Sequence, residues 1–205
     1  MGQLDSADTL TIGGDLCDFW FASREVQHDP MECQGLAALA DFVQRGCKLT
    51  IVRGNHDAWL DRFYERQLGA QVLDEPVILV SHGQRIHLVH GHLVTTRSWW
   101  KKLLESRLFL EAFSLLPRPV ALLLRARLDR ANRRDLARRT HAHEAIFRQY
   151  VQQHIEHADV FLFGHIHQAV DERIGPARMI ILGDWIRRAS YLRIDEGGAS
   201  FVVES

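Results

Sequence analysis

Short β-branched or apolar runs that close near Gly, Asn or His recur along this chain, and they constrain its fold more than any other feature. They lie at Thr9–Gly13, Leu49–Arg53, Val77–Ser81, Arg85–His90, Val160–Phe163 and Met179–Leu182. Runs of this length and type read as strands, several of them buried on both faces. Two segments with apolar residues at helical spacing stand between them, Gly35–Gly46 and Asp57–Leu68, each closing near a glycine suited to a helix C-cap. The order strand, helix, strand, helix, then a strand pair predicts an α/β layered fold with a parallel or mixed sheet. The end of the chain, Arg178–Glu204, is again strand-like, with Asp195–Gly198 as a hairpin turn.

The residues just beyond the strand ends carry the chemistry. The first strand runs into Gly13-Gly14-Asp15-Leu16-Cys17-Asp18, the second into Gly54-Asn55-His56-Asp57, the strand pair into His90-Gly91-His92, and the Val160 strand into Gly164-His165-Ile166-His167. Four strands thus deliver ligand-type residues at their C-terminal ends, the edge at which open α/β sheets bind ligands. A set of carboxylate, amide oxygen and imidazole suits Mn²⁺, Fe²⁺, Zn²⁺ or Co²⁺. Two such ions bridged by a carboxylate would activate water and clamp phosphoryl oxygens. In that scheme Asp15 is the bridge, with Asn55, His90, His165 and His167 as terminal metal ligands. His56 is placed to neutralise or protonate a leaving group, and Asp57 to orient it. Each motif alone is commonplace; their joint order is specific.

Composition sharpens the picture in one place. The net charge of −1 over 205 residues conceals a segment from Arg97 to Arg139 with twelve Lys and Arg against four acids, a balance of +8 that leaves −9 for the remainder. The same segment is apolar, with Trp99, Trp100, Leu103, Leu104, Phe109 and Phe113 among its residues. It reads as a helical cap insertion at about 97–139 in a single domain spanning 1–205. Two accounts of it stand: a helical subdomain with a solvated arginine face, or a cap that binds anions or a membrane surface. Nucleic-acid binding is not expected, nor is a protein partner. Cys17, Cys33 and Cys47 are odd in number and form no C-x-x-C pair, which with the lack of a signal-peptide pattern points to the cytoplasm.

At these motifs the chain resembles the calcineurin-like metallophosphoesterase superfamily, and within it the UDP-2,3-diacylglucosamine pyrophosphohydrolase branch. The segment GGDLCDFWF, the LGDW at Leu182–Trp185 and the stretch Leu115–Arg134 carry the closer likeness. The resemblance implies a β-sandwich flanked by helices with a helical cap, and two divalent ions, Mn²⁺. It also implies cleavage of UDP-2,3-diacylglucosamine to UMP and 2,3-diacylglucosamine 1-phosphate, a step of lipid A synthesis. The cap would then seat acyl chains, with Arg133 and Arg134, together with Asn55, touching substrate, and with peripheral contact at the inner membrane surface.

Several positions depart from the pattern. His56 stands where that branch has Arg, as in the generic superfamily GNHD, and favours a broader phosphomonoesterase or phosphodiesterase as the alternative. His92 follows His-Gly where the branch has Asp, and is expected to face solvent from a loop. His82, His87, His141, His143, His154 and His157 match no motif and are assigned to surface or core packing. Asp18 suits either support of Asp15 or a turn, and Asp184 the end of a strand. No Asp-x-His precedes Asp15, although the superfamily opens with one. The expectation is a truncated start or an incomplete metal site, and with it a third reading, a non-catalytic remnant that binds lipid or a partner.

Overall fold

The computed structural model describes residues 8–17, 34–57, 61–95, 141–185 and 188–204, with isolated positions between 116 and 127. Apart from those positions, the cap segment lies outside the described residues, as do Arg133, Arg134, Asp18 and Cys33. The chain divides into two compact units, Met1–Asp74 with Ser98–Leu122, and Glu75–Arg97 with Leu123–Ser205.

The first unit contains β1 (Thr9–Ile12), α1 (Gln34–Gln44), β2 (Lys48–Val52), α2 (Asp61–Gln67) and β3 (Gln71–Leu73). The strands form a parallel sheet in the order β1-β2-β3, the arrangement expected when helices carry the chain back between strands. Leu36, Ala40 and Phe42 of α1 and Tyr64 of α2 bury against Leu49 and Ile51 of β2. The α2 helix stops at Gly69, whose φ of +67° allows the Ala70 N–H to reach back to the Tyr64 carbonyl at 3.0 Å. Asp57, expected inside this helix, lies before it; its side chain instead bonds the backbone of its own loop at Gly54.

The second unit is built on the five-stranded sheet β4-β5-β6-β8-β7. Its strands are β4 (Val77–Ser81), β5 (Gln84–Val89), β6 (Val160–Phe163), β7 (Ala169–Ile174) and β8 (Ala177–Leu182). A short helix α3 (His92–Thr95) follows β5, and helix α4 occupies residues 141–154. The central strands β5, β6 and β8 are mutually parallel, with β4 and β7 antiparallel at the edges. A turn at His82-Gly83, both with positive φ, closes the β4–β5 hairpin, as the right-handed twist of paired strands favours.

Period-two alternation explains how both faces of this sheet are covered. Phe161, Phe163, Val89, Met179 and Ile181 face Phe147 and Val151 of α4. Ile86, Val160 and Ile180 face the opposite way, toward Leu192, Ile194 and Phe201 of the hairpin β9 (Ser190–Asp195) and β10 (Gly198–Val203). Arg178 pins that hairpin, donating to the Ala199 carbonyl at 2.6 Å while its guanidinium grips both oxygens of Asp171. Two predicted features recur here in detail: the hairpin turn at Glu196-Gly197 and the extents of β4 and β6. The sequence pattern does not mark β3 and β7; β3 is three residues long and β7 is a polar edge strand. Among the described residues, no helix is long and apolar enough to cross a membrane.

His87 of β5 is buried, 3% exposed, with its Nε2 3.1 Å from the Tyr150 hydroxyl. The ring stacks on Phe161 and stands 6.2 and 6.3 Å, centre to centre, from His154 and His157; Arg85 and Asp159 pair beside it at 3.4 Å. Burial, then the charges of His154 and His157, lower its pKa below the usual histidine value. The folded protein therefore holds His87 neutral while the unfolded chain protonates near pH 6.5. Its contribution is complete above that pH and is lost as pH falls toward the lowered folded value. Chemical denaturation from pH 7.5 to 5.0 should show stability falling on acidification, by at most about 1.4 kcal/mol per pH unit from this group. His87→Phe should flatten the slope, and an unchanged slope refutes the assignment.

Candidate metal and phosphate site

In the first unit, two loops at the C-terminal edge of the parallel sheet meet through one carboxylate. Gly14 and Asp15 leave β1 with φ of +97° and +54°, an unusual conformation for an aspartate and a conformational cost that functional loops often carry. Asp57, 1% exposed, accepts from the Gly54 N–H at 3.1 Å and from the Asp15 N–H through the same oxygen. Its other oxygen accepts from the Tyr64 hydroxyl at 2.9 Å. The His56 N–H in turn donates to Asp15 Oδ1 at 2.8 Å. A side chain at Gly54 would drive its Cβ into the Asp15 carboxylate, so only glycine lets the β2 loop approach this closely.

The electrostatics of this loop pair follow from its burial. Desolvation, then the charge of Asp15, pushes the Asp57 pKa up, against the N–H and O–H donors that favour its ionised form. Burial, then the Asp57 charge, pushes the Tyr64 hydroxyl up as well, so Tyr64 remains a donor. Both Asp57 oxygens are engaged by backbone N–H groups and Tyr64, which makes this residue the organiser of the Asp15 and Asn55-His56 loops.

In the second unit the adjacent parallel strands β5 and β6 deliver His90 and His165 from the same sheet edge. Their ring centres lie 5.4 Å apart, and His90 is 1% exposed. The Gly164 N–H donates to the His90 carbonyl at 3.1 Å, which ties the two loops together. His165 has a φ of +60°, the second ligand-type residue held in the left-handed region. His167 lies two residues on and is exposed.

Two histidines that sequence places elsewhere join this cluster. His92, expected to face solvent, has a side chain only 13% exposed, 5.4 Å from the His90 ring and 6.5 Å from that of His165. Glu75 explains the difference, with its carboxylate 3.1 Å from His92 Nδ1. His143 of α4 stacks on His165 at 6.0 Å. The loop turns at Gly91, where φ is +109° and any Cβ would strike the Phe147 ring. Nothing local in the sequence marks Glu75 or Tyr64; the i+7 spacing of Tyr64 from Asp57 crosses from loop to helix.

The carboxylate of Asp15 and the imidazoles of His90 and His165 are donors of the type that bind divalent cations. Loop organisation by Asp57 is directly testable. Tyr64→Phe removes one O–H and leaves a buried carboxylate oxygen short of a donor, a loss of about 1–3 kcal/mol. Urea unfolding measures it, and a change under about 0.5 kcal/mol contradicts the role given to Tyr64.

Comparison with known proteins bears on the chemistry of these loops. The chain is 26% identical over 198 residues to a UDP-2,3-diacylglucosamine hydrolase of Aeromonas hydrophila subsp. hydrophila, covering 91% of this chain and 80% of that protein. It is 28% identical over 223 residues to a UDP-2,3-diacylglucosamine hydrolase of Porphyromonas gingivalis, covering 97% of this chain and 84% of that protein. Among solved structures, an archaeal phosphodiesterase aligns over 96% of this chain and 82% of its own, with a TM-score of 0.43 and 14% identity. The family model for calcineurin-like phosphoesterases matches residues 2–169, and the chain accordingly belongs to the calcineurin-like phosphoesterase family of metal-dependent phosphohydrolases.

Proposed function

We propose that this protein hydrolyses the pyrophosphate of UDP-2,3-diacylglucosamine, releasing UMP and 2,3-diacylglucosamine 1-phosphate. The observation that carries this reading is the near full-length likeness to relatives that bear that activity in their names. The cationic, apolar segment at about 97–139 supports it, because a diacylated nucleotide sugar needs apolar surface for its chains and cations for its phosphates. The place of work is the cytoplasmic face of the inner membrane, reached by peripheral contact.

In this reading Asp15, Asn55, His90, His165 and His167 would hold two divalent ions, Mn²⁺. Bound ions of this kind supply Lewis acidity and lower the pKa of water. The chain's own groups do the rest. Asn55 contacts the phosphate, and Arg133 and Arg134 pair with substrate oxygens. His56 protonates the oxygen of the departing phosphate, and Asp57 holds the loop that presents His56. Water adds to the α-phosphorus and gives up a proton to solvent as the bond from that phosphorus to the bridging oxygen breaks, that oxygen leaving with 2,3-diacylglucosamine 1-phosphate. A broader phosphodiesterase activity is the second reading, favoured by His56 in the Gly54-Asn55-His56-Asp57 motif.

Incubation of the Mn²⁺-loaded protein with UDP-2,3-diacylglucosamine should release UMP, and metal analysis should find two ions per chain. Activity should depend on detergent or lipid. Cleavage of simple phosphodiesters without UMP release would select the second reading. Asp15→Ala should lower turnover by roughly 10³-fold or more, since it would remove an anionic metal ligand; retained turnover would refute that role.

A further inference from the structure

We propose that Trp185 is a specificity-determining residue that seats the uracil ring of the substrate by stacking. The proposal rests on the hydrolase reading above and adds a nucleobase subsite to it.

Topology places Trp185 at the sheet edge where His90 and His165 lie. Strands β5, β6 and β8 run parallel, with Val89, Phe163 and Ile181 in one row across them. One step past that row stand His90, Gly164 and Leu182, so the Gly183-Asp184-Trp185 turn leaves the sheet beside the Gly164-His165-Ile166-His167 loop. The two segments pack closely: a Cβ on Gly183 would stand 3.0 Å from the backbone nitrogen of Ala169, two residues after His167.

The indole is held in place and yet left open. Its Nε1–H donates to the Ser190 carbonyl at 2.7 Å, and the Ser190 hydroxyl donates to the Leu182 carbonyl, which ties the turn to the start of β9. Ser190 is buried, whereas Trp185 is 61% exposed. Leaving most of an indole in water forgoes the stabilisation that burial gives. A brace for the turn accounts for the Nε1–H bond but not for the exposed ring. A ring with its polar edge tied down and its apolar surface accessible is organised for a ligand before the ligand arrives.

The surroundings select that ligand. Among the described residues of these two segments, the large side chains exposed with Trp185 are His167, Gln168 and Arg188, all of them polar. An acyl chain needs a run of apolar side chains along its length. A planar base instead offers a π face to the indole and a hydrogen-bonding rim to polar neighbours. Uracil is the one planar aromatic group of a UDP-linked glycolipid.

Inhibition of the Mn²⁺-loaded full chain by UMP, ribose 5-phosphate and 2,3-diacylglucosamine 1-phosphate separates the parts of the substrate, and calorimetry gives the same affinities without turnover. Trp185→Ala should weaken UMP binding roughly 5- to 150-fold, the range for loss of one base–aromatic stack, and leave the other two unchanged. KM for UDP-2,3-diacylglucosamine should rise with kcat held, since a base far from the reacting phosphorus contributes equally to ground and transition states. Trp185→Phe keeps a stacking face without the N–H and should retain most of the UMP affinity; Trp185→Leu should not. Equal weakening in the Phe and Ala variants would assign Trp185 to bracing the turn. A loss confined to 2,3-diacylglucosamine 1-phosphate would seat the acyl half there. Either result overturns the proposal, as does unchanged UMP affinity in Trp185→Ala, or UMP binding no tighter than ribose 5-phosphate to the unsubstituted chain. In each of these cases, UMP release by the unsubstituted chain leaves the hydrolase reading intact. If Trp185→Ala does not fold, as a melting curve would reveal, Trp185→Leu against Trp185→Phe decides. No UMP release from the unsubstituted chain overturns both.

Discussion

A carboxylate removed from water must be supplied with donors, and in each unit one buried carboxylate draws those donors from the loops at the ends of parallel strands. Asp57 collects the backbone N–H groups of Gly54 and Asp15 with the Tyr64 hydroxyl. Glu75 accepts from the Gly91 and Leu93 N–H groups and lies 3.1 Å from His92 Nδ1. Parallel strands bring their C-terminal ends to one edge, but an edge alone leaves loops with many conformations. The donor requirement selects one of them, and the conformational cost of Asp15 and His165 at positive φ is sustained by loops held in this way. The placement of these ligand-type residues therefore depends on two acids.

This dependence explains what is legible in the sequence. The strands β1, β2, β4, β5, β6 and β8 are readable because Val, Ile, Leu and Phe runs of four to six residues have one physical meaning when turn residues bound them. The loops Gly13-Gly14-Asp15 and Gly164-His165 are readable because glycine next to a ligand-type residue signals a tight turn at a strand end. Edge strand β7 is hidden by its charges, Asp171, Glu172 and Arg173, which an edge tolerates and a central strand does not.

The residues that sequence misses share a reason. Glu75 acts on Gly91 sixteen positions away, and His143 reaches His165 from a different element. Such pairings belong to tertiary structure, and no periodicity records them. His92 shows the same limit in reverse. Beside a glycine in a polar loop it reads as an exposed side chain, and only the buried carboxylate opposite turns it inward. Sequence motifs identify strand ends well because strand ends are local; they identify the supports poorly because support is not.

The His87 cluster marks a further division of labour among the histidines. His87 and His92 lie five residues apart, yet one is packed among rings and the other against a carboxylate. Imidazole tolerates both settings because its neutral form is a modest polar group. At His87 the ring contacts Phe161 and Tyr150, where a positive charge would lose hydration without gaining an anion. At His92 an acid is already present, so the same side chain is oriented rather than merely buried. The surroundings, and not the count of 12 histidines in the chain, decide which of them serve the site.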